Sequence, residues 1–581
     1  MQGDVMGSFF LTNDTSEEKI NKVLDLYKKK GMHNYTKLIS NDCVLLYFPK
    51  INLQYQQIYK HKENYIVGIG TFFYKDKYGA DALEEIYSAY SSGENVFAQT
   101  RGHFNFVLFI GGELQVVTDK TGLLHSHIAR ERNCIYISNS FLAIGEALDN
   151  LTVSSQALME FAVTQAVYGG ATFFQEINHL ESGMIYQVNE ELKRRRYFSP
   201  SYKKDYSVED VFNDIGNYFE IFKKNDVDLK ITADLSGGYD TRLVNAILRY
   251  KKIKYTPNVN TNVTDESDVR IAREIAEGES QELAEYQKQI EKYDYRSLIK
   301  EAFFSLEASR DLFGAAYSPV YFQQKSKDFQ VIIGGYGGEL YRDKKYFGMN
   351  SVNTLVESQY GCSPLIFRNY KEYKNNLSKK LKSQFELGER TTKRDIERIY
   401  YFNRMRYWGG SRLTYFNQYA YRIHPLLDFE LASFLFDIPA KEKRNAKLQK
   451  VLTDRFDHKL AGYASQYGYN LAYKSNLKSR AKDLYSALLH KLIMALAIVP
   501  PPILGLALGV YRRLRERAGA RVYKRFYLEN EFVRTVLGTE DLMVTEYLQL
   551  NPEYIDLRPL VTGRIYTIEL VLRYFRNKLS R

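Results

Sequence analysis

Four consecutive segments restrict this chain more than anything else in it. VDLKITADL (227–235) has the residue types of a strand and DTRLVNAILRYKK (240–252) the period of a helix. YTPNVNT (255–261) reads again as a strand and ESDVRIAREIAEG (266–278) again as a helix. Strands alternating with helices at this spacing form a mainly parallel sheet joined by right-handed crossovers. FQVIIGG (329–335) adds another apolar strand, and past about residue 350 the pattern is largely helical. The first 200 residues differ. CVLLYF (43–48), YIVGIGTFFY (65–74), NFVLFIGGELQVVTD (105–119) and CIYISNS (134–140) are β-rich, with a hairpin turn at Gly111-Gly112. Helical periodicity there appears around DALEEIYSAY (81–90) and SQALMEFAVTQAV (155–167). Several hairpins with few helices predict a layered α+β unit. The polar, proline-containing FSPSYKKDYS (198–207) is the expected linker to the α/β part.

DLSGGYDTR (234–242) therefore joins the C-terminal end of a strand to the N-terminus of a helix. Open parallel sheets bind ligands at that end, and a helix N-terminus favours anions. Gly237 and Gly238 let the backbone approach phosphate oxygens, and Ser236 and Thr241 offer hydroxyl donors. Asp240 would repel bare phosphate, so it has a use there only with a bridging Mg²⁺. The Gly-Lys-Ser/Thr ending of a Walker A loop is missing. On these residues alone, a tight strand-to-helix turn with an acid in the first helical turn is the alternative.

Composition sets the class. A chain of 581 residues suggests about three or four domains, and 45% apolar and 14% aromatic residues, with 49 Tyr, exclude a disordered chain. Cys43, Cys134 and Cys362 are too few and too dispersed for a disulfide framework, which fits a reducing compartment. MQGDVMGSFF (1–10) has neither a basic n-region nor a long apolar h-region, so no signal peptide is expected. A formal charge of +12 favours an anionic partner: nucleotide, acidic glycan or membrane surface. No aromatic-basic motif supports nucleic-acid binding.

SGGYDT (236–241) resembles the pyrophosphate loop, Ser-Gly-Gly-x-Asp-Ser, of the N-type ATP pyrophosphatases, with Thr241 replacing the last serine. Within that group the chain resembles the asparagine-synthetase-like family, from its start to at least residue 460. GHFNFVLF (102–109), VVTDKTG (116–122) and IYISNSFLAI (135–144) resemble that family's N-domain, and TFFQEINHLESGMIYQV (172–188) the stretch before its linker. SDVRIAREIA (267–276) resembles the helix after the adenine strand, IIGGYGGELY (332–341) the second phosphate signature, and HPLLDFELASFLFDIP (424–439) a late signature of the same family. The matches follow the family's order. LSGGYDTR, with Tyr239 and Arg242 flanking the acid, looks more like polysaccharide-locus relatives than like housekeeping asparagine synthetases.

The resemblance implies a degenerate class-II-amidotransferase-like αββα sandwich over 1–200 and a Rossmann-like ATP-pyrophosphatase domain over 208–470 with helical C-terminal additions. It implies one chemistry. A carboxylate attacks the α-phosphate of ATP, pyrophosphate leaves, and an amine displaces AMP from the acyl-adenylate to give an amide. Mg²⁺ and backbone donors stabilise the leaving group. Ser236, Gly237, Gly238, Asp240 and Thr241 match one side of the cradle, and Gly335, Gly337, Gly338 and Glu339 the other. Asp240 and Glu339 are the expected metal ligands. The second loop departs from the family in carrying Tyr336 at one acidic position and Leu340 after Glu339. The family's late charge-neutralising lysine corresponds to Lys447 or Lys450, with spacing favouring Lys450. Arg422 stands three residues before Pro425, where the family's arginine lies two before, and Asp428 falls where the family caps a helix. Arg242 is either a bidentate grip on phosphate or carboxylate, or a helix-surface residue.

Glutamine-hydrolysing members begin Met-Cys-Gly, and the exposed cysteine is the nucleophile. Here the sequence begins Met1-Gln2-Gly3, so the N-domain is expected to be glutaminase-inactive, with Cys43 a substitute only after processing. LHSHIARERNC (124–134) offers His125, His127 and Cys134 but no fourth zinc ligand. LIMALAIVPPPILGLALGV (492–510) is uncharged, broken by Pro500-Pro501-Pro502, and flanked by basic residues such as Lys474, Lys478, Arg512 and Arg513. That pattern suits a hairpin (471–525) lying on an anionic leaflet; a buried hairpin or partner interface and a true span are the alternatives. A C-terminal helical segment (526–581) follows.

The expectation is an ATP- and Mg²⁺-dependent, AMP-forming amide ligase, cytoplasmic and peripheral on the cytoplasmic membrane face. Its acid is expected on a membrane-presented glycan, such as a lipid-linked uronic acid. Its nitrogen comes from ammonia, an amine or a separate glutaminase. Asparagine synthesis from ammonia, peptide macrocyclisation, and a catalytically decayed nucleotide-binding scaffold are the alternatives.

Overall fold

Side-chain alternation along the strands organises the first two hundred residues. The computed structural model describes residues 7–50, 57–189, 191–200, 207–224, 229–261, 266–286, 294–342, 349, 351–359, 366–465, 470–471, 542–551 and 559–580. Ser8–Thr12 runs through the middle of a six-stranded antiparallel sheet, between Cys134–Ser138 and Cys43–Phe48, with Phe10 opposite Leu46 and Ser138. A second antiparallel sheet of seven strands centres on Asn64–Tyr74 and Arg101–Ile110. Because side chains alternate, Phe9 and Leu11 enter the layer between the sheets with Val67, Ile69, Val107 and Val116. Phe10 faces the other way, into the core that holds Val23, Leu26 and Tyr27 of the helix Glu17–Lys29. On the far side of the second sheet, Phe72, Phe104 and Phe106 pack with Leu83 and Ile86 of the helix Gly79–Ser91. The resulting order is helix, sheet, sheet, helix, which buries both faces of both sheets. Arg101–Ile110 and Glu113–Thr118 turn through Gly111 and Gly112 at φ +60° and +79°, the two-residue turn whose twist matches that of paired strands.

The alternating segments form a five-stranded sheet in the order Ala284–Tyr286, Thr256–Asn260, Ile231–Asp234, Val331–Ile333, Tyr421–Ile423, every neighbouring pair parallel. Ala233 pairs with Pro257 on one side and Ile333 on the other, so the C-terminal ends of the three inner strands share one edge. The helix Tyr239–Tyr250 buries Leu243, Val244 and Ile247 behind that edge. The two outer strands span three residues each, too short to carry a periodic signal, and the sequence pattern did not reveal them.

Buried polar contacts tie this sheet to the first two hundred residues. Lys50 Nζ donates to the carbonyls of Gly70 (2.8 Å) and Ala420 (3.3 Å), and Thr71 Oγ1 donates to Asn417 Oδ1 at 2.6 Å. The helix Pro559–Tyr574 returns to both parts: Leu312 N–H donates to Thr567 Oγ1 at 3.0 Å, and Arg564 Nη1 to the Val163 carbonyl at 2.5 Å. Among the described residues no helix is long and apolar enough to cross a membrane. The apolar segment 492–510, nearly all of the expected hairpin 471–525, and residues 1–3 with Gln2 lie outside the described residues.

Candidate active site

A cavity of about 490 Å³ opens at the C-terminal edge of the parallel sheet. The loop expected to bind phosphate forms one wall. Ser236 and Thr241 hydroxyls lie 2.9 Å apart, and Gly238 N–H donates to Ser236 Oγ at 3.2 Å. Gly238 caps the helix Tyr239–Tyr250 without a side-chain hydrogen bond, so its first turn keeps the positive end of the dipole toward the loop. The loop already receives an anionic oxygen: Gly237 N–H donates to Asp268 Oδ1 at 2.8 Å. Asp268 belongs to SDVRIAREIA, where the sequence suggested no such contact.

The second glycine loop follows Val331–Ile333 and packs directly on the first. A Cβ on Gly335 would stand 2.8 Å from the Asp240 carbonyl carbon and the Thr241 nitrogen, and one on Gly338 would collide with the Asp240 carboxylate. Gly337 turns the chain at φ +94°. These glycines thus bring the two loops into contact. Asp240 sits at that junction, its Oδ2 3.0 Å from Arg342 Nη2 and its Oδ1 accepting from Gln449 Nε2 at 2.7 Å. Glu339, half-buried on the turn Gly338–Tyr341, lines the same cavity. Two carboxylates are hard oxygen donors of the kind Mg²⁺ takes, and they fit that ion if phosphate oxygens and water complete the shell and Arg342 yields Oδ2. Among the described residues no three His, Cys, Asp or Glu side chains form a ready-made metal site.

The floor of the cavity holds three charges that only the fold brings together. Asp234 ends the central strand and is met by Arg422 Nη2 at 2.6 Å and Lys325 Nζ at 3.1 Å, and Lys325 also donates to Asn258 Oδ1 at 2.5 Å. Burial works to raise the Asp234 carboxyl, but Arg422 and Lys325 outweigh it and hold the group well below the usual carboxylate range. Burial pushes the Lys325 ammonium down to about 8, against the pull of Asp234. Arg422 was noticed for its displaced spacing; the strand Tyr421–Ile423, invisible in the sequence, carries it into the cavity. Lys325 had no local signal at all.

The two late lysines separate. Lys450 Nζ lies 5.9 Å from the centre of the Tyr239 ring, beside the first loop, whereas Lys447 pairs with Glu442 at 2.7 Å on the exposed side of the helix Lys447–Phe456. Arg242 does neither of the things expected of it. It is fully buried, and its two terminal nitrogens donate to the carbonyls of Tyr463 and Ala464, each at 2.7 Å, pinning that backbone against the helix. Asp428 caps the helix Phe429–Ser433 through the Glu430 N–H. Cys43 lies between the two antiparallel sheets, where burial pushes its thiol up to about 11, the opposite of an activated nucleophile. His125 and His127 meet His179, with ring centres 4.7 and 4.4 Å from it, while Cys134 sits at the other end of the hairpin.

No family model matches the chain, and no curated protein matches it. Among solved structures it is similar to one described as the allosteric regulatory enzyme of purine biosynthesis, with 11% identity, 46% of this chain and 69% of that chain covered, and a TM-score of 0.24. It is also similar to the glutamine phosphoribosylpyrophosphate (PRPP) amidotransferase from B. subtilis complexed with ADP and GMP, with 9% identity, 48% and 65% covered, and a TM-score of 0.23. Overlaps this loose carry no information about the cavity.

Proposed function

We propose that this chain is an ATP-dependent, AMP-forming ligase that activates a carboxylate as its adenylate and joins it to an amine. One observation carries the proposal: two glycine loops, from neighbouring parallel strands, close on Asp240 at the mouth of one cavity. In this reading the Ser236–Gly238 backbone, the Ser236 and Thr241 hydroxyls and the start of the helix Tyr239–Tyr250 receive the pyrophosphate part of the nucleotide. Asp268 then cedes the Gly237 N–H to a phosphate oxygen. Asp240 and Glu339 hold Mg²⁺, which supplies charge neutralisation for the leaving pyrophosphate. Lys450, the lysine nearer the loop, adds a positive charge on the same side. The acid is one presented at an anionic membrane surface, such as a glycan uronic acid, a step supported only by the apolar segment 492–510, its basic flanks, and the polysaccharide-locus look of LSGGYDTR. The amine is ammonia, an amino-bearing substrate or the product of a separate glutaminase.

A second reading has one observation in its favour. Asp240 is engaged by Arg342 and Gln449, and Gly237 by Asp268, as in a site closed on itself. That would suit a decayed nucleotide-binding scaffold. The Asp240→Asn variant separates the two, because the amide still accepts from Gln449 while losing the charge that Mg²⁺ needs. The ligase proposal expects its thermal unfolding to stay close to wild type and carboxylate-dependent pyrophosphate release to vanish. Equal turnover in both proteins, or none in either, contradicts it.

A further inference from the structure

Three acids of the cavity wall are engaged by neighbours other than two of its cations. Asp234 is held by Arg422 and Lys325, Asp240 by Arg342 and Gln449, and Asp268 by the Gly237 N–H. Arg310 and Arg412 line the same cavity, both only partly exposed. Among the described residues neither guanidinium makes a hydrogen bond or an ion pair, and Arg310 Nε is buried without a partner. Asp311, next to Arg310 in the chain, acts on it by charge but turns its Oδ1 to the Gly314 N–H at 3.0 Å, as the cap of a short helix. Arg412 stacks over Trp408 at 4.3 Å and over Tyr336 at 5.6 Å, Tyr336 being the residue between Gly335 and Gly337. The rings fix the guanidinium without neutralising it.

The two cations are also close enough to feel each other. Burial first, and then the charge of Arg310, lower the Arg412 guanidinium; burial pushes Arg310 down to about 10. Both stay charged at neutral pH. Two like charges facing one cavity, with no carboxylate bonded to either and only the charge of Asp311 beside Arg310 to offset them, are unfavourable in the empty protein. A bound anion removes that penalty, and paired guanidiniums offer forked donors that match the two oxygens of a carboxylate.

We propose that Arg310 and Arg412 form the carboxylate subsite of this cavity, gripping an anionic group of the acid substrate beside the phosphate loop. The assignment rests on the ligase function proposed above. A nucleotide phosphate presents the same anionic oxygens, so the experiment treats the two sources apart. In the full-length protein, calorimetry with α,β-methylene-ATP and Mg²⁺ reads the nucleotide; acetate, succinate and glucuronate, titrated with and without that analogue, read the carboxylate. Arg310→Met and Arg412→Met keep the side-chain volume and remove the charge.

The expected result is carboxylate binding weakened about ten- to hundredfold in each variant, the range of a lost charge-assisted hydrogen bond. Nucleotide affinity is expected to be unchanged, and the melting temperature without ligand equal or higher, since a buried unpaired charge is gone. A structural role predicts the reverse, a fall in melting temperature without ligand, and that result overturns the subsite. Parallel loss of nucleotide affinity also overturns it and gives the pair to the phosphates. If none of the three acids binds while the nucleotide does, the subsite falls and the ligase function stands. If the acids bind through both arginines while the nucleotide never binds, the subsite stands and the ligase function falls.

Discussion

Lys325 shows how one residue without any sequence signal decides the charge of a site. It reaches the floor of the cavity from the helix Ser318–Asp328, where only the fold brings it to Asp234 and Asn258. Burial leaves its ammonium at about 8, so it is charged below that pH and neutral above. An anionic nucleotide therefore meets one positive charge fewer as the pH rises past about 8, and its affinity is expected to fall there. Calorimetric titration of Mg·ATP between pH 7 and 9 measures this. The Lys325→Arg variant, charged throughout, is expected to flatten the profile; an unchanged profile would place the titrating group elsewhere. Arg242 teaches the converse. Its position beside the phosphate loop suggested a ligand contact, yet burial and two backbone carbonyls make it a structural clamp.

Elements were legible in proportion to their length and period. The strand Cys43–Phe48 and the turn at Gly111-Gly112 match the sequence reading residue for residue, because an apolar run or a two-glycine turn is a local signal, while the first hairpin strand begins at Arg101, four residues before its expected start. The helices Gly79–Ser91, Tyr239–Tyr250 and Glu266–Gly278 lie within a residue or two of their expected bounds. Ala284–Tyr286 and Tyr421–Ile423 escaped, since three residues carry no period, neither is an apolar run like Val331–Ile333, and both are set by pairing with distant segments. That loss hid how Arg422 enters the cavity. The glycine loops were visible, but their interlocking was not, and it carries a test. An alanine at Gly335 would push its Cβ to 2.8 Å from the backbone of Asp240 and Thr241, where neither side can yield cheaply. Gly335→Ala is expected to destabilise by about 1–3 kcal/mol, as overpacking does. It is also expected to abolish nucleotide binding by separating the loops. Thermal melts and nucleotide titration read both, and wild-type affinity in this variant would mean that the interlock is irrelevant to binding.

At the scale of the whole molecule, the parallel sheet is held against the antiparallel layers by buried polar contacts such as Lys50 to Gly70 and Ala420. Deleting 492–510 is expected to move the protein from the membrane fraction to the soluble fraction while nucleotide binding persists. Cosedimentation with anionic liposomes should weaken as salt rises, because exposed charges are screened over about 10 Å at 0.1 M. Loss of folding on deletion would instead show that the segment belongs to the core. The central claim concerns which bond of ATP is broken. The most direct measurement is to incubate the protein with ATP labelled in its α-phosphate, Mg²⁺, ammonium and a panel of carboxylic acids including glucuronate, and to identify the products by chromatography. The expected result is labelled AMP with an equal amount of pyrophosphate, dependent on the acid and absent in Asp240→Asn; labelled ADP with orthophosphate, or ATP left intact by every acid, would contradict the account.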